Sequence, residues 1–319
     1  MVRLGTEDLF VDQLLHLPRP GEENVLAFYE HRLGAVFTNP RLMLIPLDDH
    51  LVHRGDGVFE ALRYEHEAVY QLDAHLDRLM RSCQAIDLTP PVGKSELDEL
   101  VRAVCLAGGQ PEGNVLIFCG RGPGGFSLDV RECPQASLYI VAKRMLRKPE
   151  SFWEQGVTAV RTHIPAKQGW MSQIKSVNYL PNVLMKKDAQ EQGADFPLCF
   201  DNEGFLAEGS TENAVLVDQH GIFVVPELKN ALTGTTLARA MRLLRPYISV
   251  ATRPVPEEEL SSCQELILLG TSIDAVSVVR YNTTLIGAGR PGPVSQRLRQ
   301  LLLADREAHA QPLRPTPTL

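Results

Sequence analysis

The chain has 319 residues and a formal net charge of −7, with 44% hydrophobic and 22% charged residues. This composition is typical of a globular protein, and the acidic balance argues against a nucleic-acid partner, which would require a basic surface. No apolar run approaches the length of about 18 residues that indicates a membrane span, and the first ten residues lack an apolar signal segment. We therefore expect a cytoplasmic protein without a membrane partner.

Length and cysteine content predict the organisation. One hydrophobic core rarely serves a chain this long, so we predict two domains. The predicted parts are a small N-terminal α+β domain (1–142), a solvated connector around "KRMLRK" (143–152) and a larger C-terminal domain (153–319), whose Pro-rich end is expected to fray. The six cysteines form no C-x-x-C pair, so neither a disulfide framework nor a metal site is expected.

The first domain begins with alternating apolar residues over 34–49, which predict strands and turns. Strands are predicted at 58–64 and 68–72 and within "NVLIFC" and "ASLYIVAKRM". Asp73 is a suitable N-cap for a helix that runs through "DAHLDRLMRSCQAIDL", and a second helix at 95–107 should end at a glycine pair. The apolar face of the first helix is expected to comprise Leu76, Leu79, Met80 and Cys83.

The second domain is predicted to mix short antiparallel strands with helices. A strand in "GVTAVRTH" is followed by a helix at 178–192, with Pro181 in its first turn. Two hairpins are expected, one turning at 201–204 and one at 219–221. A loop entering a helix ("ALTGTTLARAMRLL") and a strand-turn-strand unit ("ELILLGTSIDAVSVV") complete the domain. This order favours an α+β fold over a doubly wound sheet.

A lysine stands where a predicted strand end meets the first turn of a helix. Lys175 follows the apolar Ile174 in "GWMSQIKSVNYLPNV". Most lysines are solvated, but an ammonium that enters a partly buried site must lose its proton or find a partner. Glu208, in "AEGSTEN" at the end of a predicted strand, is a candidate partner, although it could equally be an ordinary surface carboxylate.

Two small, hydroxyl-bearing turns have the character of phosphate sites. Gly234, Thr235 and Thr236 open a helix, whose first N–H groups and dipole favour an anion. Thr271 and Ser272 lie in the turn "LGTSID". The ordinary alternatives are a simple N-cap and a tight turn. Together with an amine and a carboxylate, the turns supply what pyridoxal phosphate requires, namely a Schiff-base lysine, an acidic partner for the ring nitrogen and phosphate donors.

Several motifs in a fixed order, from about residue 53 to 279, give the chain a specific resemblance. They are "HRGDGVFEALR" with "HLDRLMRS", then "IKSVNYLPNVL", "GFLAEGSTEN", "LTGTT" and "LLGTS". This set resembles the class IV, fold-type IV pyridoxal-phosphate enzymes, which include branched-chain aminotransferases, D-amino-acid aminotransferases and aminodeoxychorismate lyases. The resemblance implies a two-domain α+β fold like that of D-amino-acid aminotransferase, pyridoxal 5'-phosphate as cofactor, and a homodimer with sites at the subunit boundary.

The resemblance also implies roles for individual residues. Lys175 matches the lysine that forms the Schiff base and shuttles the proton, and Glu208 matches the partner of the pyridine nitrogen. Tyr179 resembles the tyrosine that binds the ring hydroxyl, although it follows the lysine by four residues where branched-chain enzymes usually have five. The positions that match phosphate ligands are Arg78, Thr235, Thr236 and Thr271.

The substrate-binding pattern departs from the relatives. D-amino-acid aminotransferases hold the substrate carboxylate with a tyrosine and an R-x-H element, where this chain has Phe59 and then Phe126 and Leu128. The Y-I-R element of bacterial branched-chain enzymes is also missing. Arg121 in "GRGPGG" is a candidate carboxylate anchor, with a solvated turn arginine as the alternative. With Ser272, the aromatic side chains are expected to line the substrate pocket.

We therefore predict a pyridoxal-phosphate-dependent aminotransferase that moves an amino group between an amino acid and a 2-keto acid through Lys175. Glu60 in "VFEALR" favours this reaction, because lyase relatives more often carry threonine or aspartate there. The alternative is aminodeoxychorismate lyase, which releases 4-aminobenzoate. A non-catalytic scaffold of the same fold is a third hypothesis.

Overall fold

The computed structural model describes residues 3–314. The α-helices, in chain order, are α1 Glu7–His16, α2 His50–His53, α3 Leu72–Ala85, α4 Lys94–Ala107, α5 Ser151–Glu154, α6 Leu180–Glu191, α7 Thr235–Leu244, α8 Glu257–Leu260 and α9 Pro293–His309. Short 3-10 helices span Glu22–Asn24, His31–Leu33, Pro40–Leu42, Val130–Glu132 and Gly169–Gln173.

The strands form two sheets. In chain order they are β1 Val25–Glu30, β2 Ala35–Phe37, β3 Gly57–Glu65, β4 Ala68–Val69, β5 Gly113–Gly120, β6 Ser137–Lys143, β7 Val157–Arg161, β8 Phe196–Phe200, β9 Leu206–Glu208, β10 Asn213–Val217, β11 Phe223–Pro226, β12 Val250–Arg253, β13 Glu265–Gly270, β14 Asp274–Tyr281, β15 Thr284–Leu285 and β16 Gln311–Pro312.

The first compact unit contains the described residues up to 146 and those from 311 onward. Its sheet has the order β16-β4-β3-β5-β6-β1-β2, with antiparallel pairing throughout. The interior strand β3 alternates buried and partly exposed residues, which is the pattern of a sheet with one face covered. Helix α3 packs on β3 through a buried face that includes Leu72, Leu76 and Leu79.

The second unit spans residues 147–310. Its strand order is β12-β11-β10-β13-β14-β7-β8-β9. Strand β9 also pairs with β10, so the strands from β10 to β9 in this order form a closed ring. One apolar core lies on the face lined by Leu216 and Leu268. The other is covered by α7 and α9, which bury Leu237 and Leu298 against the sheet. Helix α7 forms this contact because Leu237, Ala240 and Leu244 recur at helical spacing.

The C-terminal residues depart from the prediction. Residues 311–314 lie with the first unit, whereas the sequence pattern places everything from 153 to 319 in the C-terminal domain. The edge of β4 accepts β16 as a partner strand, and Leu313, which is 1% exposed, donates its N–H to Glu67 O at 2.7 Å. Burial and backbone pairing hold this segment, so the expected fraying does not begin at residue 310. Residues 315–319 lie outside the described part of the chain.

Most predicted elements are present, with two local corrections. The hairpins β8–β9 and β10–β11 and the unit β13–β14 are antiparallel as predicted. Helix α3 begins after Gln71, which has a φ of 58°, so the N-cap is not Asp73. The segment before Lys175 is a 3-10 helix rather than a strand. Within residues 3–314, no helix combines the length and apolar character needed to cross a bilayer. All six cysteines are free thiols.

Candidate active site

Lys175 lies between two helical segments, the 3-10 helix at 169–173 and helix α6. The preceding 3-10 helix ends at Gln173, and Ile174, which is 5% exposed, anchors the chain in the interior. The half-buried Lys175 Nζ donates to the hydroxyl of Tyr179 at 3.2 Å. Tyr179 is itself the N-cap of α6, and a proline at the start of this helix fixes the backbone there. The four-residue spacing therefore places the phenol directly against the amine.

A second lysine, which has no role in the sequence-based prediction, faces the same tyrosine. Lys167 Nζ lies 4.8 Å from the centroid of the Tyr179 ring, and Lys175 Nζ lies 5.6 Å from it. Burial lowers the pKa of Lys167, while the charge of Glu208 acts in the opposite direction. The only sequence signal is an isolated lysine eight residues before Lys175 in "IPAKQGW", which has no distinguishing pattern.

Glu208 is the carboxylate of this cluster. It ends β9, where it pairs with Cys199 of β8 and with Asn213 of β10, so its backbone is held from both sides. Its Oε2 accepts the N–H of Leu232 at 3.2 Å. Burial raises the pKa of Glu208 to about 7, and the Leu232 hydrogen bond and the charges of the two lysines limit the rise. The result is a carboxyl group that titrates near neutral pH.

Glu212 is the other conceivable acidic partner, and its contacts are local. Its buried carboxylate accepts the N–H of Thr211 at 3.0 Å, the hydroxyl of Thr211, and the hydroxyl of Ser210 at 3.4 Å. These bonds organise the turn between β9 and β10. Glu208 remains the better candidate for a ligand contact.

Thr235 and Thr236 are the first two residues of α7, and both are buried. The N-cap is Gly234, where an added Cβ would lie 2.1 Å from Asn213 Oδ1, so a larger residue here would displace the Asn213 side chain. Asn213 Nδ2 donates to Leu232 O at 2.8 Å. Because Leu232 also donates to Glu208, one continuous set of contacts joins the helix N-terminus to the carboxylate.

Thr271 and Ser272 lie in the turn between β13 and β14, which is closed by pairing of Gly270 with Asp274. Thr271 is half-buried and Ser272 is exposed. Ser272 and Tyr179 line one cavity of about 480 Å³. Ser272 and Tyr179 therefore share one cavity wall, and the role of Ser272 in a substrate pocket stays a prediction.

Arg78, in the first unit, has a contact that the sequence did not reveal. Its Nε and Nη2 each donate to a carboxylate oxygen of Glu60 at 2.7 Å, and His75 Nδ1 lies 2.7 Å from the same carboxylate. Glu60 is fully buried. Burial alone would raise the pKa of Glu60, but the hydrogen bonds from Arg78 and His75 outweigh it and lower the pKa to about 2. Arg78 therefore has a structural partner in addition to the phosphate role implied by the resemblance.

The structure disagrees with Arg121 as a free carboxylate anchor. Its guanidinium binds both oxygens of Asp56, at 2.9 and 3.1 Å, and donates to the carbonyls of Ile86 and Asp87 at 2.8 Å each. The cause is the pairing of Gly57 with Gly120, which brings Asp56 and Arg121 together at adjacent strand ends. These contacts hold the glycine-rich loop that begins at Arg121 against the rest of the first unit.

The aromatic residues expected in the substrate pocket are separated in the first unit. Phe59 stacks on Phe118 with ring centroids 5.9 Å apart, while Phe126 packs on His53 at 5.1 Å. Phe126 is 60% exposed and Leu128 is 81% exposed. The structure does not enclose Phe126 and Leu128 in a pocket of their own unit, so the expected joint lining with Phe59 is not observed within it.

The titration of Glu208 predicts a pH effect on stability. Its pKa is raised from 4.5 to about 7, so the folded state binds this proton more tightly than the unfolded state. The stabilisation is complete below pH 4.5 and is lost as the pH rises through about 7. We expect wild-type protein without added cofactor to lose stability relative to Glu208→Gln over this window. Urea unfolding across pH, with Glu203→Gln at an exposed turn as control, measures it; a pH-independent difference would contradict the prediction.

Comparisons with known proteins agree with the geometry. A family model described as amino-transferase class IV matches residues 57–281. The chain is 32% identical to the chloroplastic D-amino-acid transaminase of Arabidopsis thaliana, over 92% of this chain and 80% of the relative.

Solved structures share the fold. A branched-chain amino acid aminotransferase of T.th., complexed with N-(5'-phosphopyridoxyl)-L-glutamate, has a TM-score of 0.84 at 22% identity and covers 91% of this chain and 99% of its own. The 4-amino-4-deoxychorismate lyase of Pseudomonas aeruginosa has a TM-score of 0.76 at 21% identity, with 87% and 98% coverage. The family and the α+β fold predicted from the motifs are confirmed, and the chain is an enzyme of the class IV aminotransferase family.

Proposed function

We propose that this enzyme is a pyridoxal-phosphate-dependent aminotransferase that exchanges an amino group between an amino acid and a 2-keto acid, with Lys175 as its catalytic residue. The observation that carries the proposal is the cluster of Lys175, Tyr179 and Glu208. It combines an amine held 3.2 Å from a phenol with a carboxyl group whose pKa burial raises to about 7. The name of the Arabidopsis relative supports the reaction type.

The residues present fit pyridoxal phosphate. Lys175 offers the amine that an aldehyde requires, and Glu208 offers a carboxylate for a pyridinium nitrogen. The N-cap of α7 is Gly234, and Thr235 and Thr236 add hydroxyls to the first turn of the helix. Thr271 is a further proposed phosphate ligand of this unit, and for Arg78 this role rests on the resemblance alone. When bound, the cofactor would supply an electron sink for the substrate's α-carbon.

The chain's own residues have separate tasks in this proposal. Lys175, as the free amine, takes the substrate's α-proton and returns it during the transfer. Tyr179 fixes the amine through its hydroxyl at 3.2 Å. Glu208, held by the N–H of Leu232, would serve as the carboxylate partner of the cofactor's ring nitrogen. Ser272 and the adjoining cavity are available to the substrate side chain.

The proposal includes a homodimer in the cytoplasm. Phe126 and Leu128 are large apolar side chains that remain exposed in the single chain. A second subunit that buries them would give these residues the substrate-lining position implied by the resemblance. Amino acids and keto acids are the proposed small-molecule partners.

A half-reaction assay tests the proposal. Purified enzyme loaded with pyridoxal phosphate is mixed with single D- and L-amino acids without a keto acid, and the near-violet absorption of the bound cofactor is followed. We expect at least one amino acid to abolish this absorption and to yield its keto acid in stoichiometric amount, since the cofactor retains the amino group. In parallel, aminodeoxychorismate is assayed for 4-aminobenzoate. Release of 4-aminobenzoate without an acceptor, and no half-reaction with any amino acid, would identify a lyase instead.

A further inference from the structure

Two lysine side chains lie close to one aromatic ring in the candidate site. Lys167 Nζ lies 4.8 Å and Lys175 Nζ 5.6 Å from the centroid of the Tyr179 ring. The two nitrogen atoms are therefore no more than about 10 Å apart, a separation at which like charges interact appreciably inside a protein. Lys175 also donates to the hydroxyl of this ring, so the ring is in contact with both amines.

The surroundings leave the charge of Lys167 without a direct ion pair. Lys167 is half-buried in the loop between β7 and the 3-10 helix at 169–173. The charged and titratable groups that face it are Glu208 from β9, Cys199 from β8, and Tyr179 and Lys175 from the segment before α6. Burial lowers the pKa of Lys167, and the charges of Glu208 and Cys199 oppose this change. Neither group forms a salt bridge with Lys167 among the described residues.

We propose that Lys167 is a positioning residue of the aminotransferase site, whose charge on the Tyr179 ring favours the neutral amine of Lys175 at physiological pH. The inference rests on the proposed role of Lys175 as the base. A protonated Lys175 cannot accept the α-proton, and a neighbouring cation makes protonation of a lysine less favourable. The cation on the ring face also holds the phenol against Lys175. A unit charge about 10 Å away, at an effective dielectric constant of about 20, shifts a pKa by about one unit.

The test compares the holoenzyme with Lys167→Met and Lys167→Arg. The rate of the half-reaction with an active amino acid is measured across pH. We expect Lys167→Met to move the acid limb of the profile upward by about one pH unit, because Lys175 then holds its proton more tightly. Lys167→Arg keeps a cation at this position and is expected to restore most of the wild-type profile. Lys229→Met, which removes an exposed lysine that pairs with Glu227 at 2.9 Å, is the matched control.

A second measurement does not depend on activity, and its wild-type part does not depend on a variant. Wild-type full-length chain without added cofactor is acetylated with limiting reagent across pH, and mass spectrometry gives the reactivity profile of Lys175. We expect its midpoint about one unit below that of a model-peptide lysine, and in Lys167→Met back near the model value. An ordinary Lys175 profile in wild type, or an acid limb unmoved by Lys167→Met, would overturn the inference. Failure of the wild-type enzyme to attach the cofactor to Lys175 would instead refute the proposed function.

Discussion

Lys175→Ala is expected to lower the rate of amino-group transfer by about 100- to 10,000-fold, the contribution typical of a positioned acid–base group. The variant loses both the covalent attachment point for the cofactor and the base that moves the α-proton. The fold should persist, because Lys175 is only half-buried and its amine contacts Tyr179 at the surface of the site. Single-turnover measurements with an active amino acid, together with urea unfolding, separate the two effects.

Two comparisons make this result specific. Lys229→Ala removes an exposed lysine, which pairs with Glu227 at 2.9 Å, and should leave the rate unchanged. A small amine added to Lys175→Ala should recover part of the rate by replacing the missing base. Borohydride reduction of wild-type enzyme and mass spectrometry should find the cofactor on Lys175. If the cofactor is attached to Lys167, the other lysine on the Tyr179 ring, then Lys167 is the Schiff-base lysine and Lys175 is its neighbour.

Local patterns in the sequence are sufficient to predict many elements because their causes are local. The hairpin β10–β11 follows from two apolar runs with a turn at Asp218–Gly221, where Gly221 has a φ of 74° that suits glycine. Helix α4 ends at Gly108 as predicted, because a glycine pair stops the apolar periodicity there. The phosphate-like start of α7 is also visible, since Gly234 and its threonines adjoin in sequence.

The errors concern contacts between distant residues. Arg121 is a plausible ligand anchor from its loop alone, but the pairing of β3 with β5 supplies Asp56 as its partner across 65 residues. Lys167 has no motif, and its position on Tyr179 depends on the path of the chain through the 3-10 helix at 169–173. Segment β16 pairs with the edge of β4, whose availability cannot be read from the C-terminal sequence.

The ion pair of Arg78 with Glu60 changes the expected effect of replacing Arg78. From sequence alone, Arg78→Ala is expected to weaken cofactor retention more than folding. In the structure, it would leave the carboxylate of Glu60, which is fully buried, with only His75 as a partner. Removing one member of a buried ion pair typically costs about 3–5 kcal/mol, because the remaining charge stays desolvated.

We therefore expect Arg78→Ala to lower the free energy of unfolding of the cofactor-free protein by about 3–5 kcal/mol, and Glu60→Ala to lower it similarly. The double variant Glu60→Ala, Arg78→Ala should be less destabilised than the sum of the single changes, since neither charge is left alone. Urea unfolding of the four proteins gives the coupling between the two positions. If Arg78→Ala without cofactor is as stable as the wild type without cofactor, the ion pair is dispensable for folding and Arg78 serves the ligand alone.

The pH dependence of the stability of a further variant, Glu60→Gln, tests the cause of that cost. The pKa of Glu60 is lowered from 4.5 to about 2, so its charged form is favoured by folding. A lowered carboxyl pKa contributes stability that is present above pH 4.5 and is lost as the pH falls through about 2. The difference between wild type and Glu60→Gln, which removes the charge with little change in volume, should therefore shrink in acid. If the difference in stability between the two proteins does not change as the pH falls, packing of the side chain, rather than its charge, stabilises this part of the fold.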